Sequence, residues 1–383
     1  MKKGRGIFAA VLSVLLIGPA PCDAAWDVTT ADVSAASAVV MEVSSRRVLI
    51  AKNPNEQRSM ASTTKIMTAL LAMESERLDE VVTVTAPMIQ TEGSSIYLKI
   101  GDQLTLRSLV VGLMQESGND AALAIAIMLD GSEASFAQRM NRRAAELGMT
   151  GTHFVTASGL DDDAHYTTAY DLALLACAAM QNPEFAAIVS KQSMTVDFVN
   201  SSVRRTFYNH NRLLREMDGC IGVKTGFTKK SGRCLVSCCE RNGIQLVAVT
   251  LNAPDDWNDH KRMMNQGFSG VENVTLTPGS LQVRVPVVGG ESDMTELIER
   301  GTVQAVIPVG RAADIQMRVE TEPFLYAPVL PGRVVGRVTY WLDGERLGEA
   351  ALLTQEDIPF FRRERGIGAR ILDFFARLFG FGR

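Results

Sequence analysis

The sequence predicts an α/β fold of the α+β kind: an antiparallel sheet packed with a helical lobe, then a small all-β domain and an amphipathic C-terminal helix. Three observations predict it. Strand-like runs at both ends of the first 270 residues bracket a long helical block, so the first and last parts of the sheet must meet in space. Beyond Gly270 the texture changes to short β-type runs separated by Gly, Pro and Asp. The last stretch places Phe and Leu on one side of a helix and arginines on the other. With 383 residues, 46% hydrophobic and 21% charged, the chain can form two packed domains. Its net charge of −4, from 39 basic and 43 acidic side chains, leaves no footprint for nucleic acid.

Residues 1–25 read as an export signal. Lys2, Lys3 and Arg5 precede an apolar run from Ile7 to Ile17, which is too short to span a bilayer, and Ala24 or Ala25 offers a small residue for cleavage. Export permits disulfides, and five of the six cysteines lie beyond the signal. Cys177 sits in an apolar helical run and reads as a buried hydrophobe. Cys220, Cys234, Cys238 and Cys239 fall on two expected strands joined by a turn near Lys229, and a symmetric hairpin sets Cys220 opposite Cys239 as a candidate disulfide. The four histidines show no paired arrangement, and no metal-ligand spacing occurs.

The expected catalytic domain runs over residues 26–270. Val39–Val43 and Val48–Ile50 form a β-hairpin about Ser44-Ser45-Arg46-Arg47. A helix begins near Ser62, with Ile66, Met67, Leu70, Leu71 and Met73 on one face. Further helices are expected at Leu104–Gln115, Asp120–Leu129, Glu133–Leu147 and Thr168–Met180, the last with Thr168 and Asp171 spaced as an N-terminal capping pair. Strands return at Gly219–Phe227, Arg233–Glu240 and Ile244–Leu251, before a helix around His260–Phe268. The all-β domain, 271–356, shows runs at Val274–Leu276, Leu281–Val288, Val303–Ile307, Ile315–Val319 and Val334–Leu342. Residues 357–383 carry Ile371, Leu372, Phe374, Phe375, Leu378 and Phe379 opposite Arg370, Asp373 and Arg377. That arrangement predicts a helix lying in a membrane interface rather than crossing it.

Three short elements carry chemistry. In Ser62-Thr63-Thr64-Lys65, helical spacing sets the lysine amine beside the serine hydroxyl. A serine is a poor nucleophile without a base, and a lysine becomes one when burial or neighbouring cations disfavour its ammonium. Alone, a Ser-x-x-Lys pattern is weak and reads equally as an ordinary helix start. In Ser117-Gly118-Asn119, between two helices, Ser117 can relay a proton and Asn119 can bond a substrate amide, although the same residues also cap helices. In Lys224-Thr225-Gly226, at a strand end, Lys224 and Thr225 can bind a carboxylate and Gly226 admits a second backbone. The Phe227 N–H can join that of Ser62 in an oxyanion hole. An exposed edge strand with a solvated lysine is the plain alternative.

In this order the elements resemble the penicillin-recognising serine enzymes, whose pattern is Ser-x-x-Lys, Ser-x-Asn and Lys-Thr-Gly. Longer stretches look like the low-molecular-mass D-alanyl-D-alanine carboxypeptidases, among them Ala61–Leu70, Glu116–Ala121, Gly159-Leu160-Asp161, His165–Asp171 and Gly222–Thr228. The resemblance is strong over residues 38–270 and looser behind. It implies a serine β-lactamase/D,D-peptidase-like fold with the site between sheet and lobe. Ser62 would attack the penultimate peptide carbonyl of a stem peptide ending in D-Ala-D-Ala, with Lys65 as base and Ser117 as relay. Asn119 would position the peptide, Lys224 and Thr225 the terminal carboxylate. β-Lactams would be covalent inhibitors, and no metal or organic cofactor is needed. The C-terminal helix would hold an exported protein on the outer face of the cytoplasmic membrane, with the β domain as a stalk. His210 or Arg212 could supply an extra contact before the Lys-Thr-Gly strand, with Arg212 reading equally as structural, and His165 and Asp162 lie in a loop that could border the site. Three rivals share features. A class A β-lactamase needs a Glu-bearing loop, where Gly159–Asp171 offers only Asp161, Asp162 and Asp163. A D,D-endopeptidase is separated weakly, and a non-catalytic cell-wall scaffold predicts the loss of residues that are all present.

Overall fold

The computed structural model describes residues 29–277 and 282–361. The expected signal, residues 1–25, and the arginine-rich segment from Arg362 onward lie outside them. By compactness the chain divides into two units, one holding residues 26–274 with 306–312, the other 275–305 with 313 onward.

In chain order, the first unit opens with strands β1 (Thr29–Thr30), β2 (Ser37–Glu42) and β3 (Val48–Lys52), then helix α1 (Lys65–Glu74). A short pair, β4 (Val81–Thr83) and β5 (Gln103–Thr105), leads to α2 (Leu106–Gln115), α3 (Asn119–Asp130), α4 (Glu133–Glu146), α5 (Ala169–Met180) and α6 (Pro183–Val189). A second pair, β6 (Ser193–Asp197) and β7 (Arg204–Tyr208), precedes the single turn α7 (Leu213–Glu216). Strands β8 (Cys220–Thr228), β9 (Gly232–Arg241) and β10 (Ile244–Leu251), then α8 (Asp256–Ser269), complete it.

The main sheet runs β1-β3-β2-β10-β9-β8, so the N-terminal hairpin meets the C-terminal strands where β2 pairs with β10. Its large strands are antiparallel, as expected. The two-residue β1 is parallel to β3, however, which makes the sheet mixed. Strand periodicity of two explains its place between two layers. Val39 and Met41 of β2 join the core against the helical lobe, while Ala38 and Val40 join the one under α8 with Met263 and Met264. Helix α5 sits within the lobe and is apolar nearly all round, the pattern of a buried helix. Its N-terminus is fixed as expected, with the Asp171 N–H donating to Thr168 Oγ1 at 3.0 Å. Glu42 clasps the β2–β3 turn, its carboxylate accepting from the N–H and hydroxyl groups of both Ser44 and Ser45.

Among its described residues the second unit is all-β apart from a single 3₁₀ turn. It contains β12 (Val283–Val288), β13 (Met294–Arg300), β15 (Gln316–Thr321), β16 (Leu325–Tyr326), β17 (Val334–Leu342) and β18 (Glu345–Thr354) in the order β15-β17-β18-β13-β12-β16. Strands β11 (Val271–Leu276) and β14 (Val303–Pro308) fall where the two residue sets divide. Residues 306–312 belong with the first unit, where the Val309 N–H donates to Gly270 O at 3.1 Å.

Candidate active site

The turn that carries Ser62 is built from tight backbone contacts. Residues Ala61–Thr64 form a 3₁₀ turn that runs directly into α1, so Ser62 and Lys65 stand one turn apart on one face. Gly159 presses against this turn. A Cβ there would sit 1.9 Å from Ala61 O and 2.7 Å from Thr64 Oγ1, and its φ is +85°, so only glycine fits. His165 ties the same loop to the turn. Its Nδ1 accepts from the Val155 N–H at 2.9 Å, which leaves the proton on Nε2, 2.8 Å from Thr64 Oγ1. Burial holds this imidazole down at about 4, so it is neutral near pH 7.

Lys65 is fully buried. Its Nζ lies 2.9 Å from Ser62 Oγ, 2.7 Å from Asn119 Oδ1 and 2.6 Å from Ser158 O. Burial, and secondarily the charge of Lys224, push its pKa well below the ordinary lysine value, against a smaller opposing pull from Asp120. Asn119 opens α3, and its amide also donates to Glu92 O at 2.6 Å. Asp120 fixes the facing loop by accepting from the Ile96 and Leu98 N–H groups and from Ser95 Oγ. Ser117 holds a left-handed φ of +64° and reaches the cleft.

Strand β8 is the sheet edge on which the Lys-Thr-Gly element lies. A Cβ on Gly226 would come within 3.1 Å of Met60 O and Ser62 N, so the bare backbone allows the strand to lie against the Ser62 turn. Lys224 is buried, its Nζ donates to Thr225 O at 3.1 Å, and burial lowers its pKa to about 7. A cleft of ≈ 340 Å³ opens here, lined by Ser62, Ser117, Thr225, Gly226 and Phe227 among others. All eight expected site residues therefore converge, with Lys65, Asn119 and Lys224 beneath the wall that the rest form.

Other expectations fare differently. His210 lines the cleft 3.7 Å from Glu116. Arg212 instead pairs with Glu216 at 2.7 Å and lies over the Trp257 ring. Asp161 accepts from Thr228 Oγ1 and Asp163 pairs with Lys230, so both acids brace the β8–β9 turn. Asp162 Oδ1 accepts from the Ala164 N–H, inside its own loop. Cys220 and Cys239 are register partners as expected, yet both are free thiols. The Cys220 S–H points to Gly222 O and that of Cys239 to Met217 Sδ, so the candidate disulfide is absent. The sequence reading missed the Ser158 carbonyl, Ser94, Arg233, Asp256 and Trp257, which surround the site from loops and β9–α8. No group of His, Cys, Asp or Glu able to hold a metal occurs among the described residues.

The family model described as D-alanyl-D-alanine carboxypeptidase matches residues 24–255, and that of the penicillin-binding protein 5 C-terminal domain matches residues 274–359. The D-alanyl-D-alanine carboxypeptidase DacC of Escherichia coli is 32% identical over 388 residues, covering 97% of this chain and 94% of its own. DacF of Bacillus subtilis, of the same description, is 31% identical over 350 residues, covering 87% and 89%. Among solved structures, penicillin-binding protein 5 of Haemophilus influenzae superposes with a TM-score of 0.66 at 26% identity, over 87% of this chain and 99% of that one. With a family model matching more than half its length and the motif residues gathered in one cleft, the chain belongs to the D-alanyl-D-alanine carboxypeptidase family of low-molecular-mass penicillin-binding proteins.

Proposed function

We propose that this serine carboxypeptidase removes the terminal D-alanine from peptidoglycan stem pentapeptides through an acyl-enzyme on Ser62, and that β-lactams acylate the same oxygen. The observation that carries the reading is the environment of Lys65 Nζ. Two of its three neighbours, Asn119 Oδ1 and Ser158 O, can only accept hydrogen bonds. A neutral amine spends its two N–H groups on them and turns its lone pair to the third neighbour, the Ser62 hydroxyl. Burial favours that neutral form. Lys65 takes the Ser62 proton as Oγ attacks the penultimate carbonyl, and the Ser62 and Phe227 N–H groups hold the oxyanion. Ser117 passes the proton to the departing amine of D-alanine, and water, again with Lys65 as base, frees Ser62. Asn119 aligns the stem peptide, and Lys224 with Thr225 attracts the terminal carboxylate. No step calls on a metal or an organic cofactor.

The chain as a whole is read as an export signal over 1–25, a catalytic domain over 26–270, a β domain from 271 and a membrane-surface helix behind it; that helix does not begin at 357 as expected, because Ile358 and Phe360 still bridge to Val329 and Gly290 of the β domain. Export to the outer face of the cytoplasmic membrane is supported by the charge and apolar pattern of the two ends. The β-lactamase reading loses support because Asp161 and Asp163 are engaged at the β8–β9 turn. The test is D-alanine release from diacetyl-L-Lys-D-Ala-D-Ala by the purified full chain and by Ser62→Ala. Release that disappears in the variant is expected. Penicillin labelling of Ser62 without any release of D-alanine would refute the carboxypeptidase assignment.

A further inference from the structure

The wall of the cleft beyond Phe227 carries a cation outside the three motifs. Arg233 is the register partner of Phe227 on β9, and Thr225 lies two residues before Phe227, so all three side chains leave the same face of the β8–β9 pair. Arg233 is held by one nitrogen. Its Nε donates to Asp256 Oδ1 at 2.9 Å, and Asp256, 3% exposed at the start of α8, also accepts from the Trp257 N–H at 3.0 Å. The guanidinium lies over the Trp257 ring, 5.6 Å from its centre, which sets its plane. This anchoring leaves the terminal N–H groups for the cleft, where Arg233, 43% exposed, forms part of the lining with Ser62 and Thr225.

Lys224 is buried beneath this wall rather than in it. The other basic group in the lining, His210, faces Glu116 and is held below its ordinary pKa by burial and by Lys224. A guanidinium remains cationic at every working pH and presents a fork that matches a carboxylate. We propose that Arg233, oriented by Asp256 and Trp257, pairs directly with the free C-terminal carboxylate of the substrate beside Thr225, while Lys224 contributes its charge from beneath the wall. Arg233 thereby selects removal of a terminal residue over cleavage within a cross-link. The proposal rests on the carboxypeptidase reading above and adds a specificity residue to it.

The test compares two acyl donors that share the diacetyl-L-Lys-D-Ala acyl group, using the full chain. One ends in D-Ala with its free carboxylate; the other is the ethyl thioester, which has no carboxylate. For Arg233→Leu we expect kcat/KM to fall about 30-fold on the peptide, the loss of a charge-assisted pair, and less than threefold on the thioester. Arg233→Lys should fall between. Because Arg233→Leu leaves the buried Asp256 carboxylate unpaired, the double variant Arg233→Leu/Asp256→Asn is measured alongside and should show the same split. An equal loss on both donors in the double variant would overturn the proposal, as would an unchanged peptide rate. Thioester turnover without D-alanine release by the unmodified chain would instead refute the carboxypeptidase reading itself.

Discussion

Lys65 and Lys224 are taken out of water within one site, and this opposes folding. A lysine whose pKa falls from 10.5 to about 7 on folding, as for Lys224, binds fewer protons in the native state than in the unfolded state between those values. Stability therefore rises with pH through that window, and the penalty is complete below pH 7. Lys224→Met should raise stability at pH 6 by on the order of 5 kcal/mol. The gain should shrink toward pH 10.5, and peptide turnover should be lost. Urea unfolding at pH 6 and pH 10 measures this, and equal gains at both would show that Lys224 is not titrating as described. The motif residues were legible because each element is contiguous and its chemistry belongs to side chains. The Ser158 carbonyl was not, since a backbone oxygen leaves no residue-type signature. Arg233 and Asp256 lie 23 positions apart and meet only through the fold.

Helices and strands were legible where one face is apolar and turn residues bound the run. Helix α6 escaped although Asn182 caps it, accepting from the Glu184 and Phe185 N–H groups, because seven residues give too short a period to read. Strands β13 and β18 escaped because charged side chains interrupt their alternation. The loop carrying Ser158, Gly159 and His165 is the element on which the Ser62 turn packs. Gly159→Ala forces this loop away from Ala61, and we expect acylation by labelled penicillin to fall at least 100-fold. Near-normal labelling at Ser62 would show that the turn tolerates the shift. Beneath the sheet, His260 is bonded to Ser237 Oγ at 2.6 Å and Thr250 Oγ1 at 2.9 Å, and burial holds its pKa at about 3. With both His165 and His260 depressed below 6.5, stability is complete above pH 6.5 and lost as pH falls through about 4 and then 3. His260→Asn should flatten the lower part of that acid limb, as read by melting temperature between pH 7 and pH 3. An unchanged slope would remove His260 from the account.

At the scale of the whole molecule, the cleft and its three motifs lie in the first unit, while the described residues of the second unit build a six-stranded sheet. The division was legible as a change in texture near Gly270, though not the return of residues 306–312 to the first unit. Phe360 and Phe361, both exposed, lead into the arginine-rich segment from Arg362 onward. Deleting residues 362–383 should leave kcat/KM on a soluble peptide within twofold and abolish sedimentation with anionic vesicles. Retained vesicle binding would place the membrane contact elsewhere.

The central claim is that a neutral, buried Lys65 activates Ser62. The most direct measurement is the pH dependence of the acylation rate by labelled penicillin, with the adduct mapped by peptide mass spectrometry. We predict an adduct on Ser62 and a single-proton rise whose midpoint lies well below the 10.5 of an ordinary lysine. An adduct on another residue, or a rise centred on 10.5, would contradict it.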